Sequence, residues 1–342
     1  MRSALILIAL LGPGCSKGDS VSELPPPTNA IATPALDAPP KSTTTTPSVL
    51  DSGVVGDAGA TGTIRFLAVG DTGRGDANQK RVRDAMVGKC ARDGCDFVLL
   101  LGDNFYVSGV DSVTDTQWKT KFETMYAGVH APFYAALGNH DYGGGGNGNE
   151  FIKGQYQVDY TAVSAKWKMP APYYTLNAGA AQFFAVDSNM QMYARDADQR
   201  TQVAAWLAAS TSRWKIAFGH HPYKSNGPHG NAGTYDGQPG TKIFNGVGVK
   251  SFYENVICGK VDIMFSGHDH LREWMTDTCQ GTELIVSGAG SEVTSLVGRN
   301  ATRFQSARQG FAYVVLTPAS LSLEFVNDAG NVDFSRVIQK SL

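Results

Sequence analysis

The sequence predicts an α/β domain in which two packed β-sheets are flanked by helices. Short apolar, β-prone runs recur along the chain and end in Gly-Asp, Gly-Asn or Gly-His. Segments with helical spacing of apolar residues stand between the early runs, an alternation that builds a sheet with helices on its face. Toward the C-terminus the runs follow one another with few helices between them, which suggests a second sheet packed on the first.

The first run, Ile64 to Val69, ends in Gly70-Asp71-Thr72-Gly73. Asp76 with Gln79 then gives an N-cap and a start like a capping box. Val82, Ala85, Met86 and Cys90 form the apolar stripe of a helix laid on a sheet. Phe97 to Leu101 reads as a buried strand ending in Gly102-Asp103. Thr114 to Tyr126 reads as helix, and Pro132 to Leu137 as a short strand ending in Gly138-Asn139-His140-Asp141. Tyr173 to Leu176 and Gln182 to Val186 look like a hairpin. Asp196 with Gln199 opens a helix that buries Val203, Trp206 and Leu207. Lys215 to Phe218 ends in Gly219-His220-His221-Pro222, and Val261 to Phe265 in Ser266-Gly267-His268-Asp269-His270. Glu283 to Val286, Phe311 to Leu316 and Leu321 to Phe325 complete the strands.

Composition bounds the function. With 29 Lys+Arg against 31 Asp+Glu and a formal net charge of −2, no nucleic-acid-binding surface driven by bulk charge is expected. The apolar run Ala4 to Leu11 is too short to span a bilayer. After Arg2 and before Gly14-Cys15 it reads as a secretory signal. Gly12 and Pro13 depart from the usual lipoprotein pattern, so Cys15 is either an acylation site or a chance residue in an ordinary signal. Residues 16–61 are rich in Pro, Thr, Ala and Ser and cannot bury a core, which suits a disordered tether. The expected division is therefore signal at 1–15, tether at 16–61 and one domain at 62–342. The expected location is outside the cytoplasm, on a bacterial cell envelope through a lipid anchor or secreted. Of five Cys, four remain once Cys15 is set aside. In an exported chain they favour disulfides, paired as Cys90 with Cys95 and Cys258 with Cys279. The second bond would close a loop around the Gly-His-Asp-His turn and hold its ends.

Polar motifs at strand ends are where α/β folds place their sites. Five such ends carry Asp71, Asp103 with Tyr106, Asn139 with His140, His220, and His268 with His270. Two His at i and i+2 in an extended segment project to opposite sides, so one backbone can serve two neighbouring metal ions. A carboxylate can bridge two cations, imidazoles suit iron or zinc, and a phenolate favours a trivalent ion. The five blocks, in this order, resemble the purple acid phosphatases, in particular the tartrate-resistant acid phosphatase type, within the metallophosphoesterase superfamily. Trp167 to Tyr174, Ser287 to Gly290 and Gly310 to Tyr313 are similar to further family segments, so the resemblance covers Ile64 to the end.

The resemblance implies a four-layer α/β/β/α sandwich of two mixed sheets. It implies a first metal, Fe(III), on Asp71, Asp103, Tyr106 and His270. It implies a second, Fe(II), Zn(II) or Mn(II), on Asp103, Asn139, His220 and His268, with Asp103 bridging. The implied activity is hydrolysis of small phosphomonoesters by attack of metal-bound hydroxide, with His140 and His229 contacting phosphate or protonating the leaving group. Hydrolysis of phosphodiesters, nucleotides or pyrophosphate by the same centre is the alternative. A surface binding lipoprotein that keeps the fold without catalysis is a third reading, against which the intact ligand set speaks.

Other features read as structure. His221 suits the pocket rim and His130 receives no role. Asp187 serves as a strand-end cap or as support for the site. Gly143 to Gly148 formally contains G-x-G-x-x-G but opens no helix, so it reads as a loop near the site. Arg74-Gly75-Asp76 is better explained by Asp76 as an N-cap, and Trp118, Trp167, Trp206 and Trp214 by the core.

Overall fold

A computed structural model describes residues 62–195, 197–234 and 246–341 of the chain. The expected signal, Cys15, the tether and the cap at Asp196 lie outside the described residues. In chain order the elements are β1 (Ile64–Val69), α1 (Ala77–Asp93), β2 (Phe97–Leu101), β3 (Phe133–Ala136), α2 (Ile152–Asp159), β4 (Trp167–Lys168), β5 (Tyr174–Ala178) and β6 (Ala181–Ala185). There follow α3 (Ser188–Met192), α4 (Ala197–Ala209), β7 (Trp214–Phe218), α5 (Val247–Phe252), β8 (Ile263–Ser266), β9 (Arg272–Met275) and β10 (Glu283–Ser287). The chain closes with β11 (Thr302–Ser306), β12 (Gly310–Leu316), β13 (Ser320–Asn327) and β14 (Val332–Gln339).

The strands form two seven-stranded mixed sheets, ordered β14-β13-β12-β1-β2-β3-β4 and β11-β9-β10-β8-β7-β6-β5. β1, β2 and β3 are parallel, as are β6, β7, β8 and β10. Each parallel set therefore delivers its following loops to one edge of its sheet. The period-2 alternation of strands sorts side chains into layers. Phe183, Ile216, Phe265 and Ile285 enter the core shared with the first sheet, while Phe184, Ala217, Met264 and Leu284 face outward to a second cluster with Val203, Leu207, Val249 and Phe252 of the helices. Phe66 and Phe97 of the first sheet meet Phe183 of the second edge-on, with ring centroids 5.3 and 5.4 Å apart. Such pairs add to the burial that joins the sheets.

α1 starts as the sequence predicts. Asp76 accepts from the Gln79 N–H at 2.9 Å, and the Gln79 side chain accepts from Gly75 N–H at 2.6 Å. The expected helix over 114–126 is shorter, a π-helical segment at Trp118–Glu123. Asp115 takes the N–H groups of Asp111 and Gln117, which folds the preceding residues into a turn. The Gln199 side chain in the first turn of α4 reaches back to Asp187. It accepts from Asp187 N–H and donates to Asp187 O, tying the helix to the strand end after β6.

Both expected disulfides are present, Cys90–Cys95 and Cys258–Cys279. Cys258 precedes β8 and Cys279 precedes β10, and these strands are parallel. The bond therefore braces the strand ends remote from His268 and His270 rather than the turn itself. Joining residues 21 apart, it stabilises by roughly 3 kcal/mol through closure of that loop. Replacing both cysteines by Ser should lower urea-derived stability by about that amount. Metal content should stay at the wild-type level, checked by elemental analysis; a loss of metal without loss of stability would contradict this placement.

Candidate metal centre

Three of the expected ligands are held in a backbone conformation that side chains other than glycine rarely adopt. Asp71, Asp103 and His268 have φ of 59°, 53° and 72°. Such left-handed residues persist where the surroundings over-determine them, and they cluster at functional sites. Each stands directly after a glycine at the end of a parallel strand, so the chain turns sharply and aims the side chain across the sheet edge. Gly102 cannot be larger: its φ is +88°, and a Cβ there would lie 2.6 Å from His220 Nδ1.

All seven expected ligands converge in two groups. In the first, Tyr106 Oη lies 3.0 Å from Asp71 Oδ1 and 3.1 Å from His270 Nε2, and His270 Nε2 lies 3.5 Å from Asp71 Oδ1. In the second, His220 Nε2 lies 3.0 Å from Asn139 Oδ1, 3.2 Å from His268 Nδ1 and 3.4 Å from Asp103 Oδ2. Ligand atoms of Asp71, Asp103 and His220 all lie within 4.8 Å of one another, so the two groups adjoin.

The donor set fits cations. His220 Nδ1 donates to Leu101 O at 2.9 Å, which turns the Nε2 lone pair inward. Asn139 donates through Nδ2 to Gly146 O at 2.8 Å, which turns its carbonyl oxygen inward. A ring nitrogen lone pair thus faces an amide oxygen and a carboxylate at contact distance, an arrangement that repels itself unless a positive charge sits between. Separations of 3.0–3.5 Å are the edges expected of a polyhedron with bonds of about 2.1 Å. The electrostatics of the bare residues agree. Burial works to lower the His220 pKa, yet the carboxylates of Asp103 and Asp71 carry it up to about 10. Burial, then the charges of Asp103 and Asp71, push the Tyr106 phenol well above its usual value. A cation would relieve both.

Beside the second group opens a cleft of about 370 Å³ lined by Asn139, His140, Gly146, Tyr193, His229 and His268, among others. His140 donates through Nδ1 to Val107 O at 2.6 Å, leaving Nε2, 4.0 Å from Asp103 Oδ2, as its remaining polar atom. The His229 ring lies 4.1 Å from that of His268. His221 also lines the cleft, and its Nδ1 pairs with Ser188 Oγ at 2.8 Å. The loop 143–148 forms one wall. A Cβ on Gly146 would meet His140 Cε1 at 2.6 Å.

A family model described as calcineurin-like phosphoesterase matches residues 64–272. The chain belongs to the calcineurin-like phosphoesterase family. This phosphoesterase is 28% identical over 301 residues to purple acid phosphatase 3 of Arabidopsis thaliana, covering 79% of this chain and 76% of that one. It is 28% identical over 329 residues to tartrate-resistant acid phosphatase type 5 of Oryctolagus cuniculus, covering 82% and 93%. Among solved structures it shares its fold with GAP50, the anchor in the inner membrane complex of Plasmodium, at TM-score 0.64 and 20% identity, covering 82% of this chain and 90% of that chain. It also matches the purple acid phosphatase PPD1 of yellow lupin at TM-score 0.62 and 17% identity, covering 82% and 54%.

Sequence reasoning missed the groups that hold the loops of the phosphoesterase in place. Asp141, fully buried, accepts from the N–H groups of Asn104, Phe105 and Gly138 and from the side chains of Asn104 and Gln157, all between 2.8 and 3.1 Å. Burial and the nearby Asp103 charge push its carboxyl up to about 6. Asp269 accepts from the N–H groups of His229 and Gly230. Glu273, also fully buried, accepts from Asn226 N–H at 3.0 Å and Ser225 Oγ at 3.3 Å. Asp141 and Asp269 each follow a site histidine directly, a signal available in the sequence.

Asp141→Ala should leave four buried donors unsatisfied, the N–H groups of Asn104, Phe105 and Gly138 and the Gln157 amide, and lower stability by on the order of 3–5 kcal/mol, with metal retention falling alongside; urea titration and elemental analysis read both. Glu273 gives a pH signature. Burial pushes its carboxyl up to about 7, with the Asp269 charge adding to it against the Asn226 N–H. Between the ordinary glutamate value of 4.5 and about 7 the folded chain holds more protons than the unfolded one, so stability falls as pH rises through that window. The loss is roughly 3 kcal/mol. Glu273→Gln should flatten the pH dependence of stability by that amount between pH 5 and 8, measured by denaturant titration at each pH.

Proposed function

We propose that this phosphoesterase is an acid phosphatase hydrolysing small phosphomonoesters at a binuclear metal centre. The observation that carries the reading is the convergence of seven donor atoms from five strand-end loops beside a cleft lined by three further histidines, His140, His221 and His229. Asp71, Tyr106 and His270 would hold a first ion, Fe(III) because of the phenolate. Asn139, His220 and His268 would hold a second, Fe(II), Zn(II) or Mn(II), with Asp103 reaching both. When bound, such ions polarise phosphoryl oxygens and make water a nucleophile near neutral pH.

The remaining work falls to the chain's own residues. Leu101 O fixes the His220 tautomer, and Gly146 O fixes the Asn139 amide. His140, anchored through Nδ1 on Val107 O, presents Nε2 to donate a proton to a leaving alkoxide or a hydrogen bond to phosphate. His229, its ring tilted against that of His268 and its backbone tied to Asp269, would share that task. The loop 143–148 shields His140 from bulk water on one side.

We also propose export. Two disulfides are expected to persist in an oxidising compartment. In this reading 1–15 is a signal with Cys15 as an acylation site, 16–61 is a spacer and 62–342 is the catalytic unit.

Elemental analysis combined with turnover of an aryl phosphate and a bis-aryl diester tests the function. The expected result is two metal ions per chain and faster hydrolysis of the monoester. Faster diester turnover would move the assignment to phosphodiesterase, and a metal-loaded protein inert on both would refute catalysis. His140→Ala and His229→Ala should slow alkyl phosphates at least tenfold more than aryl phosphates, because alkoxides need the proton that aryl leaving groups do not, with metal content unchanged.

A further inference from the structure

The outer side of the Tyr106–His270 group is closed by an ion pair that the reading above does not use. Arg74 and Glu292 join side chain to side chain, Nη2 to Oε2. The Arg74 guanidinium carbon stands 4.8 Å from the centre of the Tyr106 ring. Glu292 Oε2 stands 3.5 Å from His270 Nδ1, a buried nitrogen with no hydrogen-bond partner of normal length among the described residues. One ion pair thus touches two expected ligands at once, the phenol on its cationic side and the imidazole on its anionic side.

The placement is built into the backbone. Ser291 Oγ donates to Asp71 O at 2.5 Å, Gly290 N–H donates to Gly70 O at 3.1 Å, and Gln309 Nε2 donates to Ser291 O at 3.0 Å. On the other side Thr294 N–H donates to His270 O at 3.0 Å. Glu292 therefore sits between two ties, one to the Asp71 strand end and one to His270 itself. Arg74 follows Asp71 by three residues, and its N–H donates to Thr72 O at 3.0 Å. Both side chains are partly exposed, at 37% and 41%, but the segments that carry them are fixed to the site.

We propose that Arg74 and Glu292 are positioning residues for the first metal position, resting on the ligand assignment above: Glu292 accepts a hydrogen bond from the Nδ1–H of His270, and Arg74 stabilises the negative charge of the Tyr106 phenolate. A carboxylate on the far nitrogen of a ligating imidazole fixes its tautomer and raises its basicity, and loss of such a partner typically costs ten- to a hundredfold in metal affinity. A guanidinium over an aromatic face favours negative charge in the ring. The two residues therefore act in opposite senses on the electron density offered to the ion, His270 giving more and Tyr106 less.

The test uses the full chain loaded with iron and reads the visible absorption band and the rate of iron loss to a chelator. Glu292→Gln, which keeps the size and removes the charge, should lose the first ion about tenfold faster and move the band to longer wavelength, because the iron becomes more electron-poor. Arg74→Met should also move the band to longer wavelength, because the phenolate becomes more electron-rich, and Arg74→Lys should recover part of that shift. A merely structural pair would change melting temperature and leave the band where it is. A coloured wild type whose variants keep its band position and chelation rate overturns this inference alone. A wild type that binds iron with no visible band overturns the Tyr106 assignment and this inference with it.

Discussion

Two buried carboxylates hold the site together against its own repulsion. Asp141 gathers the loops after β2 and β3 and reaches α2 through Gln157. Asp269 gathers the loop that carries His229. Both stand one residue after a site histidine, so each loop supplies an inward side chain and, next to it, the anchor that keeps it there. Without such anchors the crowding of Asp71, Asp103 and Tyr106 around neighbouring lone pairs would push the loops apart. The left-handed backbone at Asp71, Asp103 and His268 is the cost of aiming these groups, offset by the N–H bonds that the carboxylates accept.

Much of this was legible in the sequence because the informative runs are buried almost throughout. β1, β2, β3, β7 and β8 are apolar and buried on both faces apart from Arg65 and Lys215, so they stand out by hydropathy, and the residues of the expected site follow them. β9 was hidden because it reads Arg272-Glu273-Trp274-Met275 and yet is buried throughout. Its charges are satisfied by distant residues, Arg272 by Asp333 at 2.6 Å and Glu273 by Asn226 and Ser225. β14 was hidden for the opposite reason: its residues are half exposed or exposed along its whole length, so its hydropathy resembles that of a loop.

The expected ligands stood out in the sequence, but the groups that hold them in place did not. Nothing in the local sequence says that Asn139 Nδ2 finds Gly146 O, or that His220 Nδ1 finds Leu101 O, 119 residues away. Asp187, read either as a cap or as support for the site, does a cap's work on α3 and accepts from Tyr142 at 2.5 Å as well. His221 lines the cleft while staying buried, because Ser188 Oγ engages both its ring and its backbone.

The donor atoms are divided between the two sheets. Asp71, Asp103, Tyr106 and Asn139 follow strands of one sheet, and His220, His268 and His270 follow strands of the other. Whatever binds there is a rivet through one end of the sandwich. Cohesion of the layers and occupancy of the site are then one linked equilibrium, in which free ion concentration sets how firmly the sheets are joined.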